Sequence, residues 1–279
     1  MFNYGMKIAI YSEKKAEKED IGWHRGGEDI SYFKNNVRKD YVFPKFFFTA
    51  TFTYTFEYDQ DFVFFSYSYP YTMTDLRNDL EAIEADPVRS KYTSFGFLCK
   101  TLSGVDVPII TITSQKALNP QTRDEKKKAV ILTARVHPGE TVGSWMMRGA
   151  INFLTDPDNV EAQILRDNFV FKCIPMLNPD GVINGNYRVS LAGCDLNRRW
   201  KYPSKTLHPT IHYTKKLIKE LHVERGVVLF CDMHGHSRKN NIFIYGCHNK
   251  DEPESTRILP YIMSKLSSMF DFSESKFGV

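Results

Sequence analysis

The feature that most constrains the fold is an alternation, after residue 72, of short apolar runs with longer segments of helical periodicity. Five apolar runs predict buried strands, at 107–113, 129–134, 169–175, 227–233 and 242–245. Longer segments predict helices at 142–154, 209–221 and 258–269, and a further one opens at Thr72 or Thr74 and stops at Pro87. Such alternation predicts an α/β fold with a mixed, mostly parallel sheet flanked by helices.

The first 71 residues have a different composition, because they hold more than half of the aromatic side chains. Between Phe46 and Tyr58 large apolar residues fill most even-numbered positions, with threonine between several of them, and strand character resumes at 62–66. This period of two predicts antiparallel strands. We therefore expect a small, aromatic-rich β-domain at 1–71 and a second domain at 72–279.

Composition excludes several classes of protein. Hydrophobic residues make up 42% and charged residues 25% of the 279 positions, which excludes intrinsic disorder and a coiled coil. No window approaches the roughly 20 apolar residues of a membrane span. The five cysteines form no C-x-x-C pair, which favours a reducing compartment and predicts a cytoplasmic protein. We expect no nucleic-acid or membrane partner, and the net charge of +4 is compatible with acidic substrates without establishing them.

Metal-binding residue types cluster where the predicted strands end. The run at 129–134 leads into His137 and Glu140, and the run at 227–233 leads into His234. Because ligands gather beyond the carboxyl ends of parallel strands, we expect these side chains to converge. Two histidines and one glutamate suit a catalytic zinc ion. Each histidine could instead be an ordinary hydrogen-bonded residue, and His236 competes with His234 because residues two apart on a strand share a face.

A polar loop at 186–200 supplies a second candidate group, which consists of Arg188, Asp195, Asn197 and Arg198. The loop shows neither helical nor strand periodicity. Arginine and asparagine offer planar donors that suit a carboxylate. A solvated loop without a ligand is the alternative interpretation.

Four ordered motifs carry a resemblance to a known family. They are H-P-G-E at 137–140, N-P-D-G-V-x-x-G-N-Y-R at 178–188, G-x-D-L-N-R-x-W at 193–200, and D-x-H-G-H-S-R-K-x-N-x-F-x-Y-G at 232–246. This series resembles the zinc metallocarboxypeptidases, and more narrowly the cytosolic carboxypeptidases that trim glutamate from tubulin tails. The segments at 23–29 and 68–72 are similar to the β-domain that precedes the catalytic domain in those enzymes. The resemblance implies a carboxypeptidase-like fold for 72–279.

The resemblance also implies roles for individual residues. His137, Glu140 and His234 would bind one zinc ion, and Asp195 would orient His137 from behind. Arg188 would polarise the scissile carbonyl and stabilise the oxyanion. Asn197 and Arg198 would grip the terminal carboxylate of the substrate, together with Arg188.

One part of the family pattern has no match in this chain. The family uses a glutamate near the end of the catalytic domain as general base, with a substrate-contacting tyrosine upstream of it. The last residues resemble a segment that precedes both, so Glu274 is not expected to be the base. We therefore expect both domains to be incomplete and this chain alone to show negligible peptidase activity.

The implied function is removal of C-terminal or side-chain glutamates from acidic, tubulin-like tails by metal-activated water. The implied partners are polyglutamylated tails, tubulin and microtubules, in the cytoplasm or near the cytoskeleton and cilium. A non-catalytic pseudo-peptidase that binds tubulin or another acidic partner is one alternative. A zinc amidohydrolase acting on acylated amino acids is the other.

Overall fold

The structure, a computed structural model, describes residues 2–40, 45–118 and 127–278. The chain forms two compact units, one from Phe2 to Gly235 and one from His236 onward. The elements are β1 Ile8–Ser12, α1 Glu13–Glu19, β2 His24–Gly26, β3 Glu28–Asp40, β4 Lys45–Thr53, β5 Val63–Ser66, α2 Met73–Ala85, β6 Thr93–Lys100, β7 Asp106–Ile112, α3 Gln115–Leu118, β8 Lys128–Ala134, α4 Thr141–Thr155, α5 Val160–Asn168, β9 Phe169–Ile174, α6 Pro179–Ile183, α7 Pro209–Arg225, β10 Val227–Met233, β11 Tyr245–Gly246, α8 Ser255–Leu266 and β12 Lys276–Phe277.

The centre of the first unit is a mixed sheet, which in the described residues has five strands in the order β10-β8-β9-β7-β6. Strands β10, β8 and β9 run parallel, and β7 and β6 extend the sheet as antiparallel neighbours. Strand β8 is buried along almost its whole length, as a central parallel strand covered on both faces should be. The predicted α/β fold with a mixed sheet is confirmed.

Helices cover both faces of this sheet. On one face the buried side chains Met147, Ile151 and Leu154 of α4 pack against alternate residues of β8. On the other face Leu221 of α7 packs against Ile131. Burying one such side chain stabilises the fold by roughly 1.5–3 kcal/mol. The two helical layers therefore fix the strand ends that carry the candidate site.

Two small antiparallel sheets precede the central sheet in the chain. Strands β2, β1 and β5 form one, and the long hairpin of β3 and β4 forms the other. The strand predicted to run to Tyr58 ends at Thr53. Beyond it, Glu57 pairs with Lys15 and Tyr58 donates to Glu19, so the segment packs on α1 instead of continuing the ladder. The domain boundary at 71/72 stays a prediction.

The second unit is built around α8 and the parallel pair of β11 and β12. The strand predicted at 242–245 is reduced to a single bridge at Ile242 and the two-residue strand β11. The helix predicted at 258–269 is α8, which begins and ends three residues earlier than predicted. No helix among the described residues has the length and apolar character needed to cross a bilayer.

Candidate metal centre and carboxylate site

The site begins at the turn that follows β8. Arg135, the first residue after the strand, has a left-handed backbone with φ of 59° and is 4% exposed. Its guanidinium donates to the carbonyl of Pro138 within the turn at 2.8 Å and to the hydroxyl of Ser144 at 2.8 Å. It also donates to the carbonyl of Tyr71 at 2.9 Å. Burial lowers the pKa of Arg135 to about 10, so the side chain stays charged at neutral pH.

Two glycines let the backbone around this turn pack closely. A Cβ at Gly139 would lie 2.4 Å from the ring of Tyr187, whose carbonyl accepts the Gly139 amide at 2.7 Å. A Cβ at Gly143 in the first turn of α4 would lie 2.6 Å from the carbonyl of Met233. The turn therefore contacts both the loop before Arg188 and the end of β10.

These contacts bring the three predicted metal ligands together. One ligand atom from each of His137, Glu140 and His234 lies within 4.8 Å of the others. The Nδ1 atom of His137 is 2.9 Å from Glu140 Oε1, and Nδ1 of His234 is 3.1 Å from Oε2. The amide of Gly235 donates to the same Oε2 at 2.8 Å. Two imidazoles thus present the same nitrogen to opposite oxygens of one carboxylate.

Each imidazole is held from behind by an aspartate. His137 Nε2 donates to Asp195 Oδ1 at 3.0 Å, and His234 Nε2 donates to Asp232 Oδ2 at 2.8 Å. The Nδ1 atom of His137 is buried and has no hydrogen-bond partner, although Glu140 is close. A metal ion would satisfy a buried imidazole nitrogen that has no hydrogen-bond partner and lies beside a carboxylate. The residues present therefore fit a zinc ion.

When no metal is bound, the charges among His137, Glu140 and His234 favour an ionised Glu140 and a protonated His234. Burial opposes ionisation of Glu140, but His137, His234 and the Gly235 amide outweigh it and hold the pKa of Glu140 well below its usual range. Burial would likewise lower the pKa of His234, but the carboxylates of Asp232 and Glu140 raise it to about 9. A metal ion must therefore displace a proton from this group.

Arg188 lies beside the group formed by His137, Glu140 and His234, and Asp195 holds it there. Its Nε and Nη2 atoms both lie 2.9 Å from Asp195 Oδ2, and its Nη1 atom is 3.7 Å from Glu140 Oε1. Its side chain remains 44% exposed. The guanidinium is thus fixed beside Glu140 and remains open to solvent.

Asn197 and Arg198 belong to the 3-10 turn Leu196–Arg198, which Asp195 caps by accepting the Asn197 amide. The side-chain oxygen of Asn197 accepts a hydrogen bond from the indole of Trp200 at 2.9 Å. Arg198 is exposed and forms no ion pair with any described acidic residue. Both side chains keep donors for a carboxylate, and their roles stay predictions.

The competing ligand His236 has a different environment. Its Nδ1 atom accepts hydrogen bonds from the amides of Arg238 at 3.2 Å and Lys239 at 2.9 Å. Within the described chain, the potential metal group contains His234 and not His236. Glu274, not expected to be the base, pairs with Lys239. The structure brings His234 to His137 and Glu140, and its role as a metal ligand stays a prediction.

Sequence reasoning gave no role to Asp232 or Arg135. Asp232 stands two residues before His234, so the period of a strand puts both side chains on one face and could have identified it. Arg135 leaves no such signal, because its part depends on a left-handed backbone and on the carbonyl of Tyr71, 64 residues earlier.

A comparison with protein-family models matches the part of the chain that carries the site. The zinc carboxypeptidase family model, Peptidase_M14, matches residues 77–271, which include every candidate site residue described above.

Named relatives match the whole chain. Cytosolic carboxypeptidase 3 of Mus musculus is 46% identical over 286 residues, covering 100% of this chain and 28% of the relative. Cytosolic carboxypeptidase 2 of Homo sapiens is 47% identical over 284 residues, covering 100% of this chain and 31% of the relative. The chain thus spans less than a third of the length of these two relatives.

Solved structures share the fold. A metallo-carboxypeptidase from Burkholderia cenocepacia superposes with a TM-score of 0.75 at 21% identity, covering 98% of this chain and 65% of that one. A metallo-carboxypeptidase from Pseudomonas aeruginosa gives a TM-score of 0.65 at 24% identity, covering 88% and 55%. At these identities the likeness concerns the fold alone.

Proposed function

The chain belongs to the zinc carboxypeptidase family, and from that premise we propose that it carries the zinc site of a cytosolic-type metallocarboxypeptidase that removes glutamate from acidic tails. The observation that carries the proposal is the convergence of His137, Glu140 and His234 beside Arg188. The named relatives, at 46–47% identity along the whole chain, support the cytosolic type and a cytoplasmic location.

His137, Glu140 and His234 would hold the zinc ion. When bound, zinc supplies Lewis acidity, which polarises a carbonyl and lowers the pKa of a bound water to about 7. The chain contributes the orientation of the ligands. Asp195 and Asp232 keep the Nε2 protons of the histidines directed away from the centre, so that both Nδ1 atoms face Glu140.

Arg188 would stabilise the negative charge that develops on the scissile carbonyl oxygen. Because Asp195 fixes its guanidinium before any substrate arrives, no reorganisation is needed during the reaction. Asn197 and Arg198 would bind the terminal carboxylate with donors that the described protein leaves free. A substrate with a free carboxylate next to its scissile bond fits this arrangement, as a carboxypeptidase requires.

The roles proposed above for the zinc ligands, Arg188, Asn197 and Arg198 do not include proton transfer. The two carboxylates that contact the histidines from behind, Asp195 and Asp232, are both engaged by those histidines. Neither is free to accept a proton from water, and general acid–base help is typically worth about 10²–10⁴ in rate. We therefore propose that the 279-residue chain by itself binds substrate with negligible turnover.

The substrate class that we propose is a polyglutamylated protein tail, with tubulin and microtubules as partners near the cytoskeleton and cilium. The motif resemblance supports this class, and the net charge of +4 is compatible with it. The same geometry without turnover would serve a pseudo-peptidase that binds an acidic tail.

Calorimetry with zinc-loaded chain and two short glutamate peptides tests the proposal. One peptide ends in a free carboxylate and the other in a carboxamide. A charged hydrogen-bond pair is worth about 1.5–3 kcal/mol, so the free acid should bind at least about tenfold more tightly. Equal affinity would contradict the carboxylate site. Glutamate release from the free acid would contradict the proposed lack of turnover, and turnover of an N-acyl amino acid alone would favour an amidohydrolase.

A further inference from the structure

Asp232 is engaged on both of its carboxylate oxygens. One oxygen, Oδ2, accepts from His234 Nε2 at 2.8 Å, and the other, Oδ1, accepts from the hydroxyl of Thr133 at 2.7 Å. Thr133 is fully buried, and the side chain of Asp232 is 14% exposed. The three side chains therefore form a connected chain of hydrogen bonds that runs from the sheet interior to the metal group.

The sheet itself sets this arrangement. Thr133 and Asp232 are direct partners in the parallel register of β8 and β10. His234 follows on the same side of the chain as Asp232, since side chains two apart share a face. Both strands lie in the five-stranded sheet of the described residues, with helices packed on either side. The carboxylate is thus carried by backbone that other parts of the fold already hold in place.

The bond to Nε2 has a chemical consequence for Nδ1. A neutral imidazole carries one proton, so a carboxylate that takes the Nε2 proton as a hydrogen bond leaves a lone pair on Nδ1. Nδ1 of His234 is the atom that faces Glu140 Oε2, at 3.1 Å. Asp195 makes the corresponding contact with His137. The two histidines are thereby oriented in the same way by two separate aspartates.

Thr133 restricts the carboxylate in turn. A carboxylate held at one oxygen can rotate about its χ2 torsion, which is broad for aspartate. The hydroxyl of Thr133 holds the second oxygen and removes that freedom. A threonine is suited to this role because its branched side chain is restricted at χ1.

We propose that Asp232 is a positioning residue for the metal ligand His234, and that Thr133 acts through Asp232 by fixing its carboxylate. The inference rests on the proposed zinc site. Since partners behind a ligating histidine typically change metal affinity by about 10–100-fold, loss of the carboxylate should be measurable as weaker zinc binding without any assay of activity.

Zinc affinity measured by competition with a chromogenic chelator tests the proposal. We expect Asp232→Asn to weaken zinc binding by about 10–100-fold and Thr133→Val by a smaller factor, with Thr133→Ser close to the wild type. Asp106→Asn is the matched control, because it removes the same charge from a half-buried residue of β7 that pairs with Lys100. It should leave zinc affinity unchanged.

The outcomes separate this inference from the proposed function. If the wild type binds no stoichiometric zinc, the proposed function fails and this inference fails with it. If the wild type binds zinc and Asp232→Asn binds it equally well, the inference alone is wrong. Should Asp232→Asn not fold, Thr133→Val and Thr133→Ser decide, because both keep the carboxylate. Equal zinc affinity and equal melting temperatures of these two variants would then overturn the inference.

Discussion

Asp195 joins the two halves of the site through one carboxylate. Its Oδ1 atom accepts from His137 and from the amide of Asn197, and its Oδ2 atom accepts from Arg188. Burial opposes its ionisation, but the contacts with His137, Arg188 and the Asn197 amide prevail and lower its pKa. The proposed metal ligand His137, the proposed oxyanion donor Arg188 and the turn proposed to bind a carboxylate are thus all held by Asp195.

We expect Asp195→Asn to damage both halves of the site. Zinc affinity should fall by about 10–100-fold, because His137 loses a charged partner. Affinity for a glutamate peptide, measured at saturating zinc, should fall as well, since Arg188 is released. Asp232→Asn should lower zinc affinity and leave peptide affinity at saturating zinc unchanged. An Asp195→Asn chain that kept its peptide affinity would show that Arg188 does not depend on Asp195.

The raised pKa of His234 predicts a pH dependence. Metal-free protein carries the extra proton on the His234–Glu140 pair up to about pH 9, and zinc must displace it. Zinc affinity should therefore rise about tenfold per pH unit between roughly pH 6.5 and 9. Calorimetry at pH 7 in two buffers of different ionisation enthalpy should count about one proton released per zinc. Zero protons would contradict the raised pKa.

The raised pKa of His234 also predicts how the stability of the metal-free protein depends on pH. Because the folded-state pKa of His234 lies above its ordinary value of 6.5, its contribution is fully present below about pH 6.5. The contribution is lost as the pH rises through about 9. Chemical unfolding in the presence of a chelator should therefore show falling stability of the metal-free protein across this window.

At the scale of single residues, the sequence identified the residue types but not all of their partners. His137, Glu140 and His234 stand at strand ends, where their convergence follows from topology. The structural role of Arg135 could not be inferred from the sequence, because its guanidinium donates to oxygens of Pro138, Tyr71 and Ser144. Such a pocket exists only after the chain has folded.

Helix α4 is the element that couples the proposed metal ligands to the sheet. Glu140 precedes its first residue, and Gly143 lies against the carbonyl of Met233, one residue before His234. The helix carries two glycines in quite different surroundings. A Cβ at Gly149 would meet nothing within 4 Å.

These two glycines give a matched pair of substitutions in one helix. Gly149→Ala should stabilise the protein by about 0.5–1 kcal/mol, because alanine has the better helix propensity. Gly143→Ala should destabilise it by about 1–3 kcal/mol, because its Cβ would overlap the Met233 carbonyl. Unfolding by denaturant measures both values, and Gly143→Ala should also weaken zinc binding. Equal stabilisation by the two substitutions would contradict the close contact of α4 with β10.

Strands and helices with a strong hydrophobic pattern could be predicted from the sequence, and those with a weak pattern could not. Strands β8, β9 and β10 are near-continuous apolar runs, and each lies close to its predicted bounds. Strand β6 has a glycine at position 96, and α5 has only nine residues, so neither was predicted. Strand β3 was also missed, because its charged and polar residues lie in an exposed hairpin without a buried face.

At the scale of the whole molecule, the sheet explains why distant motifs form one site. Parallel strands β8 and β10 end at the same edge of the sheet, so residues almost a hundred positions apart become neighbours. The alternation of strands and helices predicted this much. The antiparallel extension by β7 and β6 could not be inferred from the hydrophobic pattern, because a buried run does not reveal its direction.

The central claim is that His137, Glu140 and His234 bind one zinc ion per chain, and metal analysis of purified variants tests it most directly. We expect about one zinc in the wild-type chain and in His236→Ala, whose Nδ1 atom serves the local backbone. His137→Ala, Glu140→Ala and His234→Ala should each lose the metal, with a folded state verified by circular dichroism. Full zinc occupancy in His234→Ala, or none in the wild type, would contradict the claim.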